Sequence, residues 1–532
     1  MTMKNKLQKL PIDQSSFEII REDNLLYVDK TRYIHEMLET GRYFFMSRPR
    51  RFGKSLMVSA LKCFFRNRKE LFDGLWIAEH GDWKWEEYPV IVFDFNQISH
   101  NDPDEFRAGL ERTLLLTAQQ YGVSSDAPFL KGKFAELILK LRRKTGKPVV
   151  ILADEYDRPV IDHLGKGDNF LKTAGINRDI LMDFLVTMKG GDLVPHIRFF
   201  FMTGITNLSR ASAFSGLNFL TDMTLNRKYA AISGFTQEEL GNRLSGHIAQ
   251  YAEKSGMTVL QFIMELERRF GGYRFSEKNV RVICPAPVFN VLCDSAFGSS
   301  PEHDSMLTFS VTLLRERDYS LPELERFYVS EHIFSMYEPE HLCPEVLLFH
   351  IGCLTVKEVD ERLWTLGYPN LEVKCSFLKH LLYSFTRELD GTQRSRFLLL
   401  AEYLEAEDYK AFFETVNAIF ASVSHTLKTE RNEAYFHTLF YLMVSASGSS
   451  VQSEVLTSRG RIDMVVEFAD KIFVMEFKCG HSAQAALKQI HEKGYADMYA
   501  KKGKKRILMG INFSTEKRAA DEWKHEILPD VT

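Results

Sequence analysis

Ser47-Arg48-Pro49-Arg50-Arg51-Phe52-Gly53-Lys54-Ser55 decides how the first half of this chain folds. The apolar run Tyr43–Met46 precedes it, and a helical pattern runs from Lys54 to Arg66. A strand, a turn and a helix opening on Gly-Lys-Ser form the context of a P-loop. Backbone N–H groups at the helix start would hold a β-phosphate. Lys54 would neutralise the β/γ charge, and Ser55 would bind Mg²⁺. The common spacing is G-x-x-x-x-G-K-[ST], and Arg48 stands where its first glycine falls. Gly-Lys-Ser is frequent by chance, so the reading needs a partner motif.

Val149-Val150-Ile151-Leu152-Ala153-Asp154-Glu155 supplies it, as an apolar strand ending in two acids. This is the Walker B pattern. Asp154 would hold Mg²⁺ through water, and Glu155 would orient or deprotonate an attacking water. Neighbouring residues leave opposite sides of a strand, which allows the two acids different jobs. A third strand, Ile197–Met202, runs into Thr203-Gly204-Ile205-Thr206-Asn207. Thr203, Thr206 and Asn207 stand where a γ-phosphate sensor belongs, and the stretch fits a plain strand-end turn equally well. Arg158 and Arg210 are arginine-finger candidates, and for each a surface arginine is the commoner explanation.

Outward from these motifs, apolar runs alternate with helical patterns to about residue 235, with Val90–Phe95 a further strand. Continuous apolar strands separated by helices predict a parallel α/β sheet covered on both faces. Residues 236–400 read as mainly helical. Within them Leu354–Lys357 and Leu371–Lys374 read as a hairpin between helices, the pattern of a winged helix and of many small α+β units. Residues 401–532 read as helices, then strands near Glu454–Leu456, Ile462–Glu467 and Ile472–Phe477, a helix Ala483–Ala500, and a strand Arg506–Asn512.

The last part carries a second constellation. Asp463 lies on one strand of a hairpin, and Glu476 and Lys478 end the next. Residues two apart leave the same face, so pairing could gather Asp463, Glu476 and Lys478. Two carboxylates with water suit Mg²⁺. Lys478 would position the attacking water or stabilise a pentavalent phosphate. Glu433, on an upstream helix, is a further carboxylate candidate. Gln489, on the helix after the hairpin, is placed to contact the site, and Tyr495 is a weaker candidate. A charged hairpin with chance salt bridges gives the same short pattern.

Composition sets limits. The chain has 532 residues, 45% apolar and 26% charged, with net charge −3. Disordered, collagen-like and disulfide-scaffold classes are excluded. Seven scattered cysteines without a C-x-x-C pair argue against zinc and for a reducing compartment. No run of 18 apolar residues occurs, and no signal-peptide pattern opens the chain. The segment Gly41–Lys69 holds nine basic residues and no acid, and Lys501–Arg506 is a second basic run. Both suit a polyanion, although the first also serves a nucleotide and the second also fits a solvated turn.

Tyr27-Val28-Asp29-Lys30-Thr31, Arg48–Ser55, Leu152–Asp157 and Thr203–Thr206 together resemble the AAA-ATPase-like family of bacterial proteins. Arg in place of the first glycine is that family's habit. The resemblance covers residues 8–235 and continues into Gly234–Leu240 and Phe270–Phe275, where Phe-Gly-Gly-Tyr replaces the usual Tyr-Asn-Gly-Tyr. It implies an ASCE-type P-loop NTPase sheet, with an extra strand between the P-loop and Walker B strands. It further implies ATP held by Arg50, Arg51, Phe52, Gly53, Lys54, Ser55, Asp154 and Thr206. Residues 420–520 resemble the PD-(D/E)xK nuclease-like domain commonly attached to that family, with Ile462 where a proline usually precedes the aspartate.

The expected organisation is therefore a P-loop domain at 1–235, a helical lid with the winged-helix pattern at 236–400, and a nuclease-like α/β domain at 401–532. The expected activity is an ATPase coupled to a Mg²⁺-dependent nuclease, with defence against foreign DNA a setting suggested by analogy. The alternative is an ATP-dependent switch or scaffold whose nuclease-like domain binds without cleaving. The expected partner is nucleic acid, DNA before RNA, with no membrane, self-association, and a cytoplasmic location.

Overall fold

The computed structural model describes residues 7–207, 216–294, 343–360, 363–386, 399–422 and 433–529, with short pieces between 307 and 334. The chain divides into two compact units, Met1–Ser310 with Phe327–Asn370, and Val311–Arg326 with Leu371–Thr532.

The first unit is built on five strands, β1 (Tyr43–Ser47), β2 (Val90–Asp94), β3 (Val149–Asp154), β4 (Ile197–Gly204) and β5 (Thr221–Asp222). Their order is β2-β3-β4-β1-β5, and every pairing is parallel. β4 thus separates the P-loop strand from the Walker B strand, as the ASCE arrangement requires. All six residues of β3 are buried, which explains its unbroken apolar run. On one face Phe44, Val150, Phe199 and Phe201 pack with the helix Lys54–Phe65. On the other, Phe93 meets Phe134 and Phe184 from the helices Leu130–Thr145 and Asp168–Val186.

The strand register brings the two motifs to one edge of this sheet. Ser47 lies opposite Gly204, Asp154 opposite Thr203, and Asp94 opposite Asp154. The carboxyl ends of β1, β2, β3 and β4 are therefore level, at the edge where open α/β sheets bind ligands.

The helices Gln237–Arg243, Ser245–Ser255, Val259–Phe270 and Pro285–Asp294 follow in the same unit. Leu240, Ile248, Phe262, Leu266 and Val288 form their common core with Leu26 and Val28. Capping boxes start the first helix at Thr236 and Glu239 and the third at Thr258 and Gln261. β6 (Tyr273–Arg274) and β7 (Arg281–Val282) make a short pair. β8 (Phe327–Val329), β9 (Thr355–Val359) and β10 (Trp364–Gly367) form a sheet in the order β8-β10-β9.

This corrects the reading of the hairpin. Its second strand is Trp364–Gly367, and Leu371-Glu372-Val373-Lys374 opens the helix Leu371–Thr386. Pro369 cannot donate to a strand ladder. Asn370 turns inward to bond the Gly271 carbonyl at 2.9 Å. Beyond it, buried Phe377, Leu378, Leu381 and Leu382 recur at helical spacing.

The second unit carries β11 (Ser450–Thr457), β12 (Gly460–Glu467), β13 (Lys471–Cys479), β14 (Lys505–Ser514) and β15 (Ala519–Leu528), hydrogen-bonded in that order. Only β13 and β14 run parallel. The helices Tyr409–Ser422 and Glu433–Ala446 precede the sheet, and Ala483–Lys493 crosses between β13 and β14. That crossover helix ends at Gly494, earlier than Ala500, because Gly494 takes the left-handed conformation that terminates helices. The crossover lies very close to the sheet. A Cβ on Gly510 would stand 2.2 Å from the Ala483 carbonyl oxygen and 2.9 Å from the Leu487 nitrogen. Only glycine at that position lets the helix settle on β14.

Candidate active sites

The P-loop wraps the start of the helix Lys54–Phe65. Arg51 and Gly53 both adopt left-handed backbone, with φ of 66° and 85°. Such alternation turns successive N–H groups inward as an anion nest. Lys54 is almost fully buried, donates to the Pro49 carbonyl at 3.1 Å, and lies 3.5 Å from Glu155 Oε1. The Ser55 hydroxyl stands close enough to Asp154 to hold its carboxyl down. Arg50, Arg51, Phe52, Gly53, Lys54, Ser55 and Glu155 all line one cavity of about 330 Å³, within the size range of small-molecule sites. The Phe52 ring is taken up by Tyr273 and Phe275, with centroids 4.8 and 5.5 Å away. The cavity continues between Leu26 and Val28 on one side and Gly234, Phe235 and Phe289 on the other. Lys30 at its wall donates to both Glu239 oxygens, at 2.6 and 2.8 Å, and ties this region to the helix Gln237–Arg243.

Burial raises the Asp154 carboxyl to about 6, and the neighbouring Glu155 charge adds to it. Asp154 Oδ1 is buried without a hydrogen-bond partner among the described residues. A carboxylate oxygen so placed beside a serine hydroxyl fits a divalent cation, whose charge would remove the penalty.

Arg48 does not face this cavity. Its buried guanidinium donates to the carbonyls of Ser47, Thr224 and Tyr229 and stacks over Phe275 at 4.4 Å. Burial lowers it to about 9. The residue that replaces the loop's first glycine is thus a brace from the loop to the segment after β5. Arg48→Ala leaves those carbonyls without their donor and opens a void over Phe275. It is expected to cost about 3 kcal/mol, read by chemical denaturation of the full chain. A loss below about 0.5 kcal/mol would show that the brace carries no weight.

The other sequence candidates here have assigned contacts. Thr203 Oγ1 donates to the Met46 carbonyl at 2.8 Å, Thr206 Oγ1 to Asp157 at 2.6 Å, and Asn207 to Asp222 at 2.8 Å. Arg158 donates to Asn96 and Asp162. Arg210 lies outside the described residues.

In the second unit, Met464 opposes Met475, so Asp463 and Glu476 stand just beyond this last ladder pair, toward the hairpin's open end. Asp463 Oδ2 accepts the Phe477 N–H at 2.8 Å in place of a ladder bond. Glu476 is buried, and its Oε1 accepts from Gln489 and lies 3.5 Å from the Lys478 ammonium. Lys478 also donates to the Phe477 carbonyl at 2.9 Å. Four of the predicted residues, Asp463, Glu476, Lys478 and Gln489, therefore meet at one place. Burial first, and then the Asp463 charge, push the Glu476 carboxyl up to about 7. Its Oε2 has no partner among the described residues. A buried acid kept costly by a second acid fits a divalent cation site. Glu433 opens the helix Glu433–Ala446, and its side chain lies outside the described residues. Tyr495 packs in the core with Ile462, Leu487 and Ile490.

Sequence reasoning missed His437. Its Nε2 meets the Asp463 carbonyl at 3.0 Å and its ring lies edge-on to Phe477, so it braces the aspartate's backbone. A lone histidine on an apolar helix gives no local signal. The basic run Lys501–Arg506 is also largely spoken for. Lys502 and Lys504 bind Glu467, Lys505 binds Glu407, and Arg506 bonds the Pro529 carbonyl.

Comparison with known proteins finds a family match in each unit. A family model described as "Predicted AAA-ATPase" matches residues 11–214, and one described as "PD-(D/E)XK nuclease superfamily" matches residues 431–523. A relative from Azotobacter chroococcum mcd 1, named "Uncharacterized protein in vnfD 5'region", is 31% identical over 523 residues. The match covers 96% of this chain and 98% of the relative. The chain belongs to the AAA-ATPase-like family with a C-terminal PD-(D/E)XK nuclease superfamily domain. In this AAA-ATPase-like protein no helix among the described residues is long and apolar enough to cross a membrane.

Proposed function

We propose that this protein binds and hydrolyses ATP in its first unit and cleaves nucleic-acid phosphodiesters in its second, with ATP controlling cleavage. The observation that carries the second half is the convergence of Asp463, Glu476, Lys478 and Gln489, with one Glu476 oxygen buried and unpartnered among the described residues. Asp463 and Glu476 would hold Mg²⁺ there, and Ser55 and Asp154 in the first unit. The cation supplies Lewis-acid stabilisation of developing phosphate charge and lowers the pKa of bound water. Lys478 places an ammonium where an anionic phosphate arrives, and Gln489 fixes the Glu476 carboxylate by donating to Oε1. Lys54 and the loop N–H groups bind nucleotide phosphates, and Glu155 takes the proton of the attacking water. Arg50, Arg51, Phe52 and Gly53 shape the phosphate cradle. DNA is the favoured substrate, in a cytoplasmic and self-associating protein with a role in defence against foreign DNA. The test is purified full-length protein with Mg²⁺, with and without ATP, on a panel of DNA and RNA substrates. ATP-dependent cleavage of one class is expected. Nucleic-acid binding without cleavage of any substrate would favour the scaffold reading.

A further inference from the structure

Asp157 is a heavily hydrogen-bonded acid of the first unit, and the two motifs do not account for it. It is fully buried. Its Oδ2 alone accepts three hydrogen bonds, from Ile205 N at 3.0 Å, Thr206 N at 2.6 Å and Thr206 Oγ1 at 2.6 Å. These donors all lie just past the end of β4. The same end is bonded to the turn at two more points, Tyr156 N to the Thr203 carbonyl at 3.1 Å and the Tyr156 hydroxyl to the Thr206 carbonyl at 3.3 Å. It is bonded to the P-loop as well. Thr203 Oγ1 donates to the Met46 carbonyl at 2.8 Å, and Arg48 N to the Gly204 carbonyl at 3.2 Å.

Gly204 makes the close approach feasible. A Cβ there would stand 2.5 Å from Asp157 Oδ1 and 2.7 Å from Tyr156 Cδ1. Between Asp154 and Asp157 the chain must also reverse sharply. Glu155 does this with φ of 56°, a left-handed conformation that a glutamate rarely adopts and that persists only where the surroundings impose it. In that conformation its carboxylate lies 3.5 Å from the Lys54 ammonium. A turn strained at Glu155 and pinned two residues later by a charged acceptor has its aim set by the pin.

We propose that Asp157 is a positioning residue for ATP hydrolysis. By binding the end of β4 it holds the left-handed turn that aims Glu155 at the P-loop lysine. Thr206 then serves Asp157 and does not sense the γ-phosphate. This inference rests on the ATPase reading of the first unit.

The experiment measures ATP turnover and nucleotide affinity in the full chain for Asp157→Asn, Thr206→Val, Thr206→Ser and the double variant Glu155→Gln with Asp157→Asn. Asp157→Asn and Thr206→Val are expected to lower kcat about 10- to 100-fold, as for groups that orient a reacting residue, with KM and ATP affinity within about 3-fold of wild type. Thr206→Ser, which keeps the hydroxyl, should restore most of the rate. The double variant should be no slower than Glu155→Gln alone, because a residue that acts through Glu155 has nothing left to act on. Additive losses, or a rise in KM with kcat unchanged, overturn the proposal; such a rise in Thr206→Val would make Thr206 a nucleotide contact. If Asp157→Asn does not fold, the two Thr206 variants decide the matter. A wild type that binds ATP without turning it over overturns the ATPase reading and this inference together. A normal wild type with unaffected variants overturns the inference alone.

Discussion

Glu476→Gln is expected to lower nucleic-acid cleavage by about 10³-fold or more while ATP turnover stays within about 2-fold of wild type. Removing a carboxylate that holds a catalytic cation costs several kcal/mol of transition-state stabilisation, and each 1.4 kcal/mol is a tenfold loss. Glutamine has the same shape, so the buried pocket keeps its packing. It has no charge, so it relieves the very penalty that lifts Glu476 to about 7. The variant should therefore fold at least as well as wild type and fail only in chemistry. Asp463→Asn should behave alike and should also lose Mn²⁺ binding by calorimetry. Cleavage that survives Glu476→Gln would remove this residue from the active site, and Mn²⁺ binding unaltered by Asp463→Asn would favour a nuclease-like domain that only binds.

Lys54→Ala is expected to abolish nucleotide binding, and Glu155→Gln to retain binding while slowing turnover about 10²- to 10⁴-fold. The contrast follows from what each group faces. Lys54 is the buried ammonium at the helix start, and phosphate charge has no other buried cation in that cavity among the described lining residues, apart from Lys30, which is bound to Glu239. Glu155 lies 3.5 Å from Lys54, and its charge also acts on the Asp154 and Asp157 carboxyls. Filter binding with labelled ATP separates the two variants, and phosphate release measures turnover. Normal hydrolysis by Glu155→Gln would give the proton-accepting role to another group.

Four of the five strands in the first unit's parallel sheet were legible because a doubly covered parallel strand must be apolar throughout, as in Val149–Ala153 and Phe199–Met202; the fifth, Thr221–Asp222, is two polar residues and gave no such signal. The P-loop and the Asp463, Glu476, Lys478 set were legible because phosphate and metal chemistry restrict residue type and spacing. The final strand, Ala519–Leu528, was not legible. Among the described residues it pairs on one side only, with β14, and it carries Asp521, Glu522, Lys524, His525 and Glu526. Charges of this kind keep an edge strand from pairing with another molecule and also erase the apolar signal of a strand. Asp157 and His437 escaped because their roles come from partners some 50 and 26 residues away in sequence. Arg48 belongs to the phosphate loop by position, and only its burial among carbonyls shows that it braces the loop from behind.

The lysines bound to Glu467 and Glu407 bear on how the second unit meets any polyanion. Lys502, Lys504, Lys505 and the buried Lys471 already carry carboxylates as fixed counter-ions. An arriving phosphate chain must displace a tethered acid there and gains little from the release of mobile salt. The affinity of that surface should therefore vary with ionic strength less steeply than its lysine count implies. In the folded protein two glutamates answer four of these lysines, so the basic strip is partly neutralised from within.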